Sequence, residues 1–250
     1  MCIIDSQYIG SGAAPIVINN THGTNLDGVT LSKITINVNG GTGSGFCGSV
    51  ADSDLLTIDN TICNIAATTG SHDGWDLLFA SHLTFSNNFV FGGACSSATH
   101  LEDGLVLSGT NDTVGPNNTL HDGCSFDNHP DGIVIQGDGD RAGNPTNNIT
   151  VARNTIYNFT QGIYADAIHN PLTNILLENN IIYEQASYRY GGVANKMNGI
   201  VLDGENVSGG PFDIQVGVYN NTVDTRQLTM YCLRLGAGTA ITATTVSYTH

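Results

Sequence analysis

Three Asp-Gly pairs, at Asp73, Asp103 and Asp131, recur 30 and 28 residues apart, each opening a short apolar run: "DGWDLLF", "DGLVLSG" and "DGIVIQG". His72, His100 and His129 stand one to three residues ahead of them, and Glu102 adjoins Asp103. If the chain brings these carboxylates together, they repel when ionised, so at least one holds its proton towards neutral pH and becomes a general acid. Carboxyls about 5–5.5 Å apart suit retaining glycoside hydrolysis, and about 6.5–9.5 Å inverting hydrolysis. The candidate catalytic residues are therefore Asp103 and Asp131, with His129, Asp73 and His100. The competing reading is turn chemistry, in which Asp accepts backbone N–H bonds and Gly adopts positive φ. Taken singly each histidine reads as a surface residue, but a turn alone does not ask for imidazole.

Two insertions add candidates. The loop "GDGDRAGNPTNN" follows the third Asp-Gly run. There Asp138 and Asp140 could offer oxygens to Ca²⁺, which would bridge an acidic sugar and acidify its α-proton, with Arg141 or Lys196 as base or clamp. A solvated Asp-Gly turn is the plainer reading of the same residues. The segment "EQASYRYGGVANKMN" brings Tyr188, Arg189, Tyr190 and Lys196 together, rings that can stack on sugars beside scarce basic side chains. Packing of a Tyr-rich loop explains them equally well.

Charge narrows the partners. Lys and Arg total 7 against 22 Asp and Glu, a formal net charge of −15. Nucleic acid and anionic lipid surfaces are disfavoured because the basic footprint they require is missing, which leaves neutral or cation-bridged glycans. No stretch approaches the roughly 20 apolar residues of a membrane span, so membrane insertion is not expected, and "MCIIDSQYIG" lacks the features of a signal peptide. Six cysteines show no metal-ligand spacing and read as buried thiols or a few disulfides, with Cys95 and Cys124 a possible pair. With 31 glycines and 12% charged residues, the composition favours turn-rich β structure.

The elements that must position these residues emerge from self-similarity. "LTIDNTICN", "LTFSNNFVF", "TVGPNNTLHD", "ITVARNTIYN", "ILLENNIIYE" and "GVYNNTVD" each read as an alternating strand, an asparagine and a second short strand, aligning Asn60, Asn88, Asn118, Asn154, Asn180 and Asn221. A third strand follows in register, beginning at Asp73, Asp103, Asp131, Gln161 and Asn198. Such strands cannot bury a face alone, but stacked coils make a continuous core, and Asn at the bend tolerates left-handed backbone and pairs with the Asn above and below. Trp75, Leu105, Ile133, Ile163 and Ile200 should then face inward. Asp76, Val106, Val134, Tyr164 and Val201 should face out, followed by a column of Leu78, Ser108, Gln136, Asp166 and Asp203. Tyr164 and Gln136 join Arg141, Tyr188 and Lys196 as candidate substrate contacts. Phe91, His121, Tyr157 and Tyr183 form a further column, read as cross-coil stacking.

On the "N-x-I" bend and the "DGI-V-I" strand, the sequence from about Leu26 to Thr225 resembles the right-handed parallel β-helix family of pectate lyases, polygalacturonases and tailspikes. The expected fold is all-β, one β-helix domain over residues 1–250. "NHPDGIVI" resembles the polygalacturonase "N-x-DG" segment at Asp131, while the chain has no "DD", "GHG" or "RIK" segment. The resemblance implies a secreted or extracellular protein whose partner is a polysaccharide or glycan, cleaved by carboxylate hydrolysis or cation-assisted elimination. A non-catalytic adhesin and a purely structural segment are the alternatives. Neither end shows a cap, so the sequence reads as a fragment of a longer β-helix or as a chain whose ends a partner covers.

Overall fold

A computed structural model describes residues 7–10, 16–19, 28–39, 45–67, 72–93, 101–124, 130–137, 146–168, 170–185, 197–204, 212–224, 231–236 and 241–244. Among these are 24 strands and no helix. The strands fall into three ladders, one strand of each per coil. The first, here the Asp-Gly ladder, includes His72–Ser81, Asp103–Thr110, Asp131–Gln136, Gln161–Asp166 and Asn198–Asp203. The second precedes the asparagine bend and includes Thr84–Ser86, Thr113–Val114, Thr146–Ala152 and Leu172–Glu178. The third follows the bend and runs as eight hydrogen-bonded strands, among them Phe89–Phe91, Thr119–His121, Thr155–Tyr157, Ile181–Tyr183 and Thr222–Asp224. Pairing is parallel throughout, as in Leu105↔Ile133↔Ile163↔Ile200. A Thr110↔Asn147 pairing joins the first ladder to the second. The chain is a parallel β-helix with three-strand coils.

Every ladder turns alternate residues inward, which is why short alternating runs suffice. Trp75, Leu105, Ile133, Ile163 and Ile200 meet Phe85, Val114, Val151 and Leu177 from the second ladder and Val90, Leu120, Ile156 and Ile182 from the third, all fully buried. Burial of such side chains, worth about 1.5–3 kcal/mol each, is what stacking the coils supplies. The single tryptophan packs edge-on against Phe85, centroids 6.2 Å apart, and fills space left by the missing side chain of Gly48. A disulfide between Cys47 and Cys63 ties the first ladder to the third, with Cα atoms 5.8 Å apart. Cys124 is also disulfide-bonded and Cys232 is free, while Cys95 lies outside the described residues.

The asparagine bend divides between two columns the work expected of one. Asn88, Asn118, Asn154, Asn180 and Asn221 are buried. Each Nδ2 donates to a second-ladder carbonyl, such as Asn118 to Phe85 at 2.8 Å and Asn154 to Val114 at 3.0 Å. From Asn118 onward it also donates to the next asparagine, Asn118 to Asn154 at 2.8 Å and Asn180 to Asn221 at 2.9 Å. The left-handed backbone belongs to the preceding residues, Asn60, Asn87, Asn117, Arg153, Asn179 and Asn220, with φ between 50° and 64°. Asn60 is thus one position out of the expected alignment. Thr61 holds the buried place instead, donating through N and Oγ1 to Asn88 Oδ1 at 2.9 and 2.8 Å.

Candidate functional site

Asp73, Asp103, Asp131, Gln161 and Asn198 stand one over another at the start of the Asp-Gly ladder, in the register expected from sequence. Parallel strands put successive rungs about 4.8 Å apart. Asp103 N–H donates to Asp73 Oδ1 at 3.2 Å, and Asp131 N–H donates to Asp103 Oδ1 at 3.2 Å. The glycines beside them are not turn glycines: Gly74, Gly104, Gly132, Gly162 and Gly199 lie inside strands and are not among the residues of positive φ. They are small because the coils touch there. A Cβ on Gly104 would sit 2.5 Å from the Gly132 carbonyl oxygen and 2.7 Å from Leu120 Cδ2, and one on Gly162 would sit 2.6 Å from the Gly199 oxygen.

Stacking shapes the electrostatics. Burial pushes the Asp73 carboxyl up to about 7, helped by the charges of Glu102 and Asp76 and opposed by the Asp103 N–H. Asp103 is held well above the usual carboxylate range by burial, then by Asp131, Asp73 and Glu102. Asp73, Glu102 and Asp103 remain partly exposed, whereas Asp131 is 2% exposed and Gln161 and Asn198 are buried after it. The reachable end of the column is therefore Asp73–Glu102–Asp103. Glu102, legible in the sequence as the acidic neighbour of Asp103 but not among the catalytic candidates because it lies one place outside the aligned columns, joins them here.

Gln136 and Tyr164, candidates for substrate contact, lie among the described residues. Gln136 is half-buried in register with the buried Asp166 and Asp203. Tyr164 is half-buried in the expected column with Asp76, Val106, Val134 and Val201. That flank is not open: Val106, Val134 and Val201 are 7%, 2% and 1% exposed although they stand outside the core cluster. His72 opens the strand His72–Ser81. His100, His129, Asp138, Asp140, Arg141, Tyr188 and Lys196 lie outside the described residues, and so therefore does the Ca²⁺ expected at Asp138 and Asp140. Among the described residues no group of three or more His, Cys, Asp or Glu side chains is arranged to hold a metal ion.

The aromatic column stacks as expected. Phe91 and His121 lie 5.5 Å apart and 10° from parallel, His121 and Tyr157 4.6 Å and 3°, Tyr157 and Tyr183 4.9 Å and 14°. His121 Nδ1 is 2.8 Å from Asp122 Oδ2. A concavity of about 470 Å³ opens at Tyr183, lined by Ile181, Ile182, Glu184, Gln185, Thr222 and Asp224. Elsewhere, Asp112 occupies an inward column shared with Leu83 and Ile149. Its Oδ1 accepts the Leu83 N–H at 2.9 Å, its Oδ2 has no hydrogen-bond partner, and burial raises it to about 8.

No protein-family model matches the chain, and no curated protein matches it. No helix among the described residues is long and apolar enough to cross a membrane.

Proposed function

We propose that the protein is a secreted carbohydrate-active β-helix that hydrolyses a neutral polysaccharide with the carboxyls of Asp73, Glu102 and Asp103. The observation that carries this reading is geometric: the half-buried carboxyls of Asp73, Glu102 and Asp103 gather at one end of the stacked column, where burial and the neighbouring charges raise Asp73 to about 7. Glycoside cleavage needs such a split, one carboxyl protonating the leaving oxygen and another acting as base or nucleophile. Elimination starts from a base, and a carboxyl poised as an acid favours hydrolysis over it. The net charge of −15 favours neutral over acidic chains. Disulfides at Cys47–Cys63 and at Cys124 support an oxidising, extracellular setting.

The test is release of reducing ends from neutral and acidic polysaccharides, read beside the absorbance of unsaturated sugars with and without Ca²⁺. The expected result is release from neutral chains, falling as pH rises through about 7 as Asp73 loses its proton, with Asp73→Asn lowering kcat about 10²-fold or more. A second reading has its own observation: Asp73 and Asp103 each accept the next coil's N–H, a structural duty sufficient to explain both. Silence in both assays, with glycan still retained on the protein, decides for that non-catalytic, adhesin-like reading.

A further inference from the structure

The ring stack of the third ladder ends abruptly. Phe91, His121, Tyr157 and Tyr183 occupy successive rungs, and the next rung of the same column is Asp224. One face of the Tyr183 ring is covered by Tyr157 at 4.9 Å. The other is turned towards a rung whose side chain is far smaller than a ring, and there the concavity of about 470 Å³ opens. Its wall is mixed. Ile181 and the Tyr183 ring supply an apolar surface, with Ile182 buried in the core beneath them, while Asp224, Glu184, Gln185 and Thr222 line the rest.

We propose that this concavity is a sugar-binding subsite in which an uncharged pyranose ring takes the next place in the stack, its C–H face on Tyr183 and its hydroxyls turned to Asp224, Glu184 and Gln185. An aromatic face offers dispersion and C–H contact over an area matched to one ring. Carboxylates accept hydroxyl hydrogen bonds strongly and repel acidic sugars, so the chemistry selects neutral units. Position supports the assignment. Only Asn158, Phe159 and Thr160 separate Tyr157 from Gln161 of the acidic column, so the stack and that column border the same corner of the helix. Following the chain, Tyr183 leads to the rung of Asn198, four rungs or roughly 19 Å along the axis from Asp73. This inference rests on the proposed carbohydrate function and adds to it a place that grips the chain away from the cleaved bond.

The test is calorimetric and saturation-transfer titration of the full chain with cellohexaose, xylohexaose and mannohexaose, against trigalacturonate. Wild type and Tyr183→Phe, which keeps the ring face, are expected to bind at least one neutral oligomer, and Tyr183→Ala to lose about tenfold or more in affinity. Asp224→Ala is expected to weaken binding severalfold. Thermal melts of each variant separate loss of binding from loss of fold. Should Tyr183→Ala melt like the wild type and bind as tightly, the subsite is wrong. Tighter binding of trigalacturonate than of every neutral oligomer also overturns it. Reducing-end release without Tyr183-dependent binding removes the subsite and spares the hydrolase, whereas Tyr183-dependent binding without any cleavage keeps the subsite and removes the hydrolase.

Discussion

A glycine in this molecule is a statement about distance. At Gly104 the backbone of one coil meets the Gly132 carbonyl of the next and Leu120 of the third ladder, and a methyl group would have to enter both contacts at 2.5 and 2.7 Å. Backbone cannot yield as a flexible side chain would, so the cost is that of overpacking, about 1–3 kcal/mol. Gly104→Ala should therefore lower the thermal midpoint by several degrees, and Gly162→Ala, facing the Gly199 oxygen at 2.6 Å, should do the same. If these glycines served positive φ at a turn, alanine would be strained by its backbone instead, and a D-alanine at Gly104 made by semisynthesis would rescue it. Rescue is not expected. The same closeness presses Asp73 and Asp103 into successive rungs, so the catalytic proposal and the packing of the coils share one cause.

At the scale of the element, the asparagine ladder replaces bulk water as the partner of a buried bend. Asn154 accepts from Asn118, donates to Val114 O and Asn180 Oδ1, and its own N–H is taken by Asn180 Oδ1. Asn154→Ala takes the side-chain donor from the Val114 carbonyl and the acceptor from one of the two Asn118 Nδ2–H groups in the interior, at about 1–3 kcal/mol for each group. Asn117, one column outward, is exposed and donates to Asn87 at 3.0 Å; its alanine variant should cost less, through the lost left-handed preference and one solvent-exposed hydrogen bond. Melting curves in which Asn117→Ala is the more damaging of the two would contradict this division of labour. The division also explains what was legible. Strand alternation and coil spacing were plain because every coil repeats them, and the register at Asp73, Asp103, Asp131, Gln161 and Asn198 followed. The single misplacement, Asn60, arose because asparagine serves both columns and "DNT" offers a threonine that fills the buried place with a hydroxyl. Asp-Gly misled for a related reason: the letters do not distinguish a glycine that needs positive φ from one that needs room. The covered flank at Val106, Val134 and Val201 was illegible because alternation reports which residues leave the core, not what lies over them.

Over the whole molecule, the carboxyls divide into two groups whose pH effects oppose each other. Asp73 and Asp112 are raised to about 7 and about 8, and Asp103 is raised as well. A raised folded pKa means that the native state holds a proton which the unfolded chain releases. Its stabilisation is complete below about pH 4 and is lost as pH climbs through 7 to 8. Asp122 runs the other way: burial would raise it, but hydrogen bonds from His121 and Asn158 prevail and lower it, so its contribution is present above about pH 4 and is lost below. Asp54 and Asp59 share that direction but are mostly solvated and add little. The two trends leave maximal stability in mildly acidic solution, between about pH 4.5 and 6, and the self-repulsion of a net charge of −15 deepens the decline above it. Asp112 is the cleanest probe, since it is 1% exposed, lies in none of the proposed sites, and keeps its Leu83 hydrogen bond if the carboxyl becomes an amide. Asp112→Asn should therefore be near neutral at pH 5 and stabilising by about 1–3 kcal/mol at pH 8.5, flattening the alkaline side of the profile. A wild-type melting temperature that does not fall between pH 5 and 8.5, or one whose fall Asp112→Asn leaves untouched, would show that the buried carboxyls do not hold their protons as the packing requires.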